Sequence, residues 1–113
     1  MENKFEVTLK NLNVNKENVF ISYGFGGESH ERFTLCAIIY DKMLSFGLSI
    51  CSNRDNFSKN IGRTIALKRA TQKTWTIPLT QRNDIRGIRK IMNSQCFLVS
   101  DQLHIFKKMI SKT

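Results

Sequence analysis

Two nearly continuous apolar runs, Phe33–Tyr40 and Leu44–Cys51, flank the short segment Asp41-Lys42-Met43. Runs of this length and composition read as a hairpin of two central, well-buried strands, and the rest of the chain must be arranged around it. Upstream, Phe5, Val7 and Leu9 alternate with Glu6, Thr8 and Lys10, the period-2 pattern of a strand with one wet face. The polar segment 11–18, rich in asparagine, predicts a loop or turn, and Val19 to Tyr23 a second short strand. Gly24-Phe25-Gly26-Gly27-Glu28-Ser29 reads as a connection, because glycines tolerate positive φ and close backbone approach.

After residue 51 the period changes. Ser52-Asn53-Arg54-Asp55 has the spacing of a capping box. Phe57, Ile61 and Ile65 then follow at i, i+4 and i+8, beside the small residues Ser58, Gly62 and Ala66, which predicts a helix over 54–71 able to approach a sheet closely. Trp75–Leu79 reads as a short strand that Pro78 confines to an edge or an end. Residues 83–93 predict a second helix buried through Ile85, Ile88, Ile91 and Met92, and Cys96–Ser100 a last strand. From Asp101 onward, Leu103, Phe106 and Ile110 favour a short helix over a strand in which Leu103 and Ile105 alternate with His104. The expected architecture is α+β: a mainly antiparallel sheet of about five to six strands with two to three helices packed on one face, in a single domain spanning residues 1–113.

The sequence holds few groups arranged for catalysis. His30 and His104 are the only histidines, and no Cys/His pair has a metal-binding spacing. Neither a phosphate-cradling nor a dinucleotide-binding glycine motif is present, and the nine acids do not cluster as a magnesium site requires. The expectation is therefore a binding protein and not an enzyme, with no cofactor. The first ten residues lack the apolar run of a signal peptide, and no window reaches the roughly 18 apolar residues of a membrane span. A cytoplasmic protein without a membrane partner is the expectation, and Cys36, Cys51 and Cys96, each in an apolar run, read as free thiols of a reducing compartment.

Charge supplies the functional signal. Of the chain's 18 basic residues, ten lie between Arg54 and Lys90 beside two acids, Asp55 and Asp84, so that this span carries +8 of a net +9. Charge sorted in this way steers phosphorylated or polyanionic partners. On the first helix, Arg69 projects near the middle of the apolar side, where a guanidinium is costly unless it meets an anion or a hydrogen-bond acceptor; at the helix C-terminus it can also snorkel outward. Lys59 and Arg63 fall on the opposite, polar side with Asn56, Asn60 and Leu67. On the second helix, Arg82, Arg86, Arg89 and Lys90 repel one another across neighbouring rows, and arginine's planar fork suits phosphate. Phe57, Trp75 and Phe25 are candidates to stack a base, each with a competing role in packing. Asn53 and Arg54 stand where free helix amides would receive a phosphate.

The segment 46–70, a strand ending in Cys51-Ser52 followed by Asp55-Asn56-Phe57-Ser58 and then Gly62-Arg63, Ala66, Arg69 and Ala70, resembles a strand-to-helix pattern of short phage-encoded proteins. In size and layout the chain is similar to the phage anti-Thoeris signal sponges. That resemblance implies a sheet with two helices, a cyclic ADP-ribose-type or cyclic oligonucleotide ligand that is held without being cleaved, and a homo-oligomer in the bacterial cytoplasm. It aligns none of the family's ligand contacts with a residue here.

Two functions follow, beside a third and plainer one, a protein-interaction domain whose basic face meets an acidic partner. The first is sequestration of a small phosphorylated cyclic nucleotide immune signal, with Arg54, Arg63, Arg69, Arg86 and Arg89 meeting phosphate, Phe57 or Trp75 stacking the base and asparagines such as Asn53 reading hydroxyls. The alternative is a basic phage protein that binds nucleic acid or a nucleoprotein machine, as an anti-CRISPR or anti-restriction factor would. It draws on a charge larger than a diphosphate needs, but the sequence carries no helix-turn-helix spacing, zinc finger or RNP-type strand.

Overall fold

The computed structural model describes residues 4–26, 31–51, 59–79 and 85–111. In chain order these form α1 (Lys4–Asn11), a 3₁₀ turn (Lys16–Asn18), β1 (Val19–Gly26), β2 (Glu31–Tyr40), β3 (Met43–Cys51), α2 (Lys59–Ala70), β4 (Thr76–Pro78), α3 (Ile85–Asp101) and α4 (Leu103–Ser111). The strands make one antiparallel sheet in the order β1-β2-β3-β4.

The expected hairpin is its centre. β2 pairs with β3 from Arg32↔Cys51 to Tyr40↔Met43, and Asp41 closes the turn at φ 49°, a conformation that a short polar side chain tolerates. Along both strands successive side chains enter different cores. Phe33, Leu35, Ala37, Leu44, Phe46 and Leu48 meet Ile88, Met92 and Val99 of α3 and Leu103 of α4. Cys36 and Ile38 meet Phe5 and Leu9 of α1 and Ala66, Leu67 and Ala70 of α2. Helices therefore cover both faces of the sheet, not one. Near-continuous apolar runs are what a strand buried on both sides requires.

The sheet has four strands because two expected ones are helices. Phe5 and Leu9 are spaced i, i+4, so one buried stripe serves a helix as well as an alternating strand; with Thr8 they form the inner side of α1, and Val7 points outward. α1 ends in a Schellman motif, in which the Val14 amide donates to the Leu9 carbonyl (2.9 Å) and the Asn13 amide to that of Lys10 (3.1 Å), with Asn13 at φ 55°. Cys96–Ser100 continues α3, because Ile88, Met92, Val99 and Leu103 recur at helical spacing and the tertiary packing outweighs local β propensity. The expected C-terminal helix is present as α4.

α2 ends where the sequence predicts, but its buried side differs. Gly62, Thr64, Ala66, Leu67 and Ala70 are inside, whereas Ile61 is 53% exposed. Leu67, expected on the polar side, is fully buried. The small residues win because they let the helix backbone settle on the sheet: a Cβ at Gly47 of β3 would collide with the Ala66 carbonyl and the Ala70 amide. Ser45 Oγ donates to the Ala70 carbonyl at 2.5 Å across the same contact. The expected capping box at 52–55 and the helix start before Lys59 lie outside the described residues.

Gly24-Phe25-Gly26, expected in a connection, belongs to β1. Gly26 lies against α3, where a Cβ would strike the Ser100 backbone, and Ser100 Oγ donates to the Phe25 carbonyl at 2.7 Å. β4 is the expected edge strand. It pairs with β3 from Met43↔Pro78 to Ser45↔Thr76, with a further bond from the Phe46 amide to the Trp75 carbonyl (2.8 Å), and leaves the rest of β3 without a neighbour on that side among the described residues.

Candidate functional site

Where β4 leaves β3, the sheet edge opens into a cleft of about 150 Å³. Its floor is the β3 backbone from Phe46 to Leu48. Arg69 and Gln72 from the end of α2 form one wall, Thr74 and Trp75 the entry to β4, and Phe106, Met109 and Ile110 of α4 the other wall. Trp75 sits between two rings, 4.9 Å from the Phe46 centroid and 5.1 Å from that of Phe106. This stack ties α4 to the sheet.

Arg69 is the charged group of the cleft. Its Nη1 donates to the Leu48 carbonyl at 2.6 Å, which holds the partly buried guanidinium at the sheet edge in the cleft lining. Burial holds its pKa below the usual arginine value, the signature of a cation short of water. No carboxylate among the described residues is paired with it. The off-side arginine read from the helical wheel thus finds an acceptor for one nitrogen and keeps donors free for another group.

The remaining candidates do not converge here. Arg63 lies toward α1, with its Cζ 5.1 Å from the Phe5 ring centroid and its buried Nε without a hydrogen-bond partner. The side of α2 expected to be solvated is thus laid partly over aromatic rings, since Lys59 Nζ also stands 5.2 Å from the Tyr23 centroid. Arg86 and Arg89 are exposed on α3, Arg86 on the side of that helix turned away from the sheet and Arg89 on its flank. Asn53, Arg54 and Phe57 lie outside the described residues, as does Arg82. Of the eight expected contacts, Arg69 and Trp75 share one site. Gln72, Thr74, Phe106 and Met109 were not anticipated as its walls; Phe106 carried only the signal of a helix stripe facing a core.

The model of a phage protein family, the N4 Gp49/phage Sf6 gene 66 family, matches residues 7–79, well over half of the chain. The chain belongs to this family. The phage family's matched span runs from within α1 through β4 and so includes the sheet, α2, Arg69 and Trp75, while α3 and α4 follow it. No curated protein and no solved structure matches the chain. In this phage protein all three cysteines are free, and burial pushes the Cys36 thiol up to about 12 and raises that of Cys96. Among the described residues no helix is long and apolar enough to cross a membrane, and no group of three or more His, Cys, Asp or Glu residues is placed to hold a metal ion.

Proposed function

We propose that this phage protein is a non-enzymatic binding protein that sequesters a small phosphorylated nucleotide, of the cyclic ADP-ribose type used as an immune signal, at the cleft beside Arg69. The observation that carries the reading is the state of Arg69. A guanidinium held partly out of water, bonded to one backbone carbonyl and paired with no carboxylate among the described residues, favours an anion that takes up its remaining donors. Phosphate fits that fork, and the apolar wall at Trp75 and Phe106 offers a surface to a base or sugar. Both neighbouring rings already pack on Trp75, so a base would lie along the exposed edge of the wall and would not be sandwiched.

Calorimetric titration with cyclic ADP-ribose isomers, cyclic di- and trinucleotides and a short DNA duplex, each at two salt concentrations, tests the proposal. Micromolar or tighter binding of one small nucleotide is expected, with a log-log salt slope of about one or two. Arg69→Met should weaken that binding about 10- to 100-fold, the range for a hydrogen bond to a charged group, with the chain still folded by circular dichroism. Duplex binding with a slope several times steeper and indifferent to Arg69→Met would sink the reading in favour of a nucleic-acid-binding protein.

A further inference from the structure

α3 is a 17-residue helix whose inward line is Ile88, Met92 and Val99. At 100° per residue, the opposite line carries Arg86, Lys90, Asn93, Phe97 and, one turn further, Asp101, with Arg89 on its flank, and all six are exposed. Phe97 is 77% exposed, more than any other large apolar side chain among the described residues. Leu98 follows at 44% and, past the break at Gln102, Ile105 at 45%. Arg86 and Phe97 stand about 16 Å apart along the axis, or three helical turns. None of the three cations is paired with an acid among the described residues, and the helix's one described acid, Asp101, accepts from Gln102 Nε2 at 3.0 Å.

A single exposed phenylalanine is ordinary on a protein surface. A phenylalanine on the same helix line as two cations, with Leu98 exposed next to it, combines the apolar and cationic contacts of an interface. The chemistry selects among occupants. A nucleic-acid backbone would use the cations and leave Phe97, Leu98 and Ile105 in water. A second copy of this chain would bring +9 against +9. A protein segment with an apolar stripe and acidic flanks satisfies both halves of the face.

We propose that the outward face of α3 is a docking surface for an acidic amphipathic segment of another protein, which seats apolar side chains on Phe97 and carboxylates at Arg86, Arg89 and Lys90. This surface is separate from the Arg69 cleft and does not depend on what the cleft binds.

The test places a photo-crosslinker in the full chain, as Phe97→p-benzoylphenylalanine, with the same group at exposed Thr76 of β4 as the control. After irradiation in bacterial cells the crosslinked peptide is sequenced, synthesised and titrated against the purified chain. The expected adduct is a peptide of net negative charge with apolar residues at helical spacing. Phe97→Ala should weaken its binding about tenfold or more, and the double reversal Arg86→Glu with Arg89→Glu at least as much, while Arg69→Met leaves it unchanged. Since the replaced side chains are exposed, melting temperatures should stay within a few degrees of the parent. Adducts with a second copy or with nucleic acid, no adduct above the Thr76 control, or a peptide whose affinity ignores Phe97→Ala would each overturn the proposal.

Discussion

The two faces of the sheet are packed by different means. On the α1/α2 face the contact is backbone against backbone, with Gly47 beneath Ala66 and Ala70 and Ser45 bonded to the Ala70 carbonyl. On the α3/α4 face the centre of the sheet meets the helices side chain against side chain, with Phe33, Phe46 and Leu44 filling the space to Val99 and Leu103, and backbone approaches backbone at the β1 edge, where Gly26 lies against Ser100. At Gly47 the close face leaves no room for an added atom, whereas over β2 and β3 the other face is filled by large buried side chains. Both features with chemical interest, the cleft and the outward line of α3, involve the helices of the second face.

That contrast can be broken in order of severity. Gly47→Val should abolish folding, because its side chain enters the Ala66 and Ala70 backbone and no rotamer relieves the collision; soluble yield and circular dichroism report it. Leu103→Ala, on the other face, should cost about 2–5 kcal/mol in denaturant unfolding yet leave a folded chain, since a cavity among side chains can partly collapse. If Leu103→Ala proved as lethal as Gly47→Val, the distinction between the faces would fail. Ser45→Ala should cost about 1 kcal/mol by removing one hydrogen bond across the close face.

The smallest effect is one of slope and is confined to alkaline pH. Cys36 has its folded-state pKa raised to about 12, so the unfolded chain ionises first and the fold loses stability as pH climbs from about 9 toward 12. Cys36→Ala, compared with the parent in reductant, should flatten the stability profile across that window and leave its slope below pH 8 unchanged.

The central hairpin was legible because uninterrupted apolar runs leave few alternatives to buried strands, and the edge position of β4 because Pro78 cannot donate to a ladder. The number of strands was not. Phe5 and Leu9 fit a strand and a helix alike, and the β-branched and aromatic content of Cys96–Ser100 hid a helical stripe whose other members lie a full turn or more away. α2 showed the limit of a helical wheel. The sequence offered a branched-aliphatic side through Ile61 and a small-residue side through Gly62 and Ala66, and only the sheet decides between them. Arg69 was recognisable as a charge on the inward side. Its cleft was not, because Trp75 and Phe106 meet across 31 positions and their encounter depends on where α4 docks. The distance of Arg86 and Arg89 from that cleft has the same origin: a run of positive charge in sequence was dealt to different sides of the fold.

The bond from Arg69 to Leu48 carries a consequence for the chain's behaviour in crowded solution. β4 pairs β3 only as far as Phe46, so the Leu48 carbonyl is the next acceptor that a strand from any neighbouring molecule would seek. Arg69 occupies it and sets a positive charge at the growing point of the sheet, a device that discourages edge-to-edge aggregation.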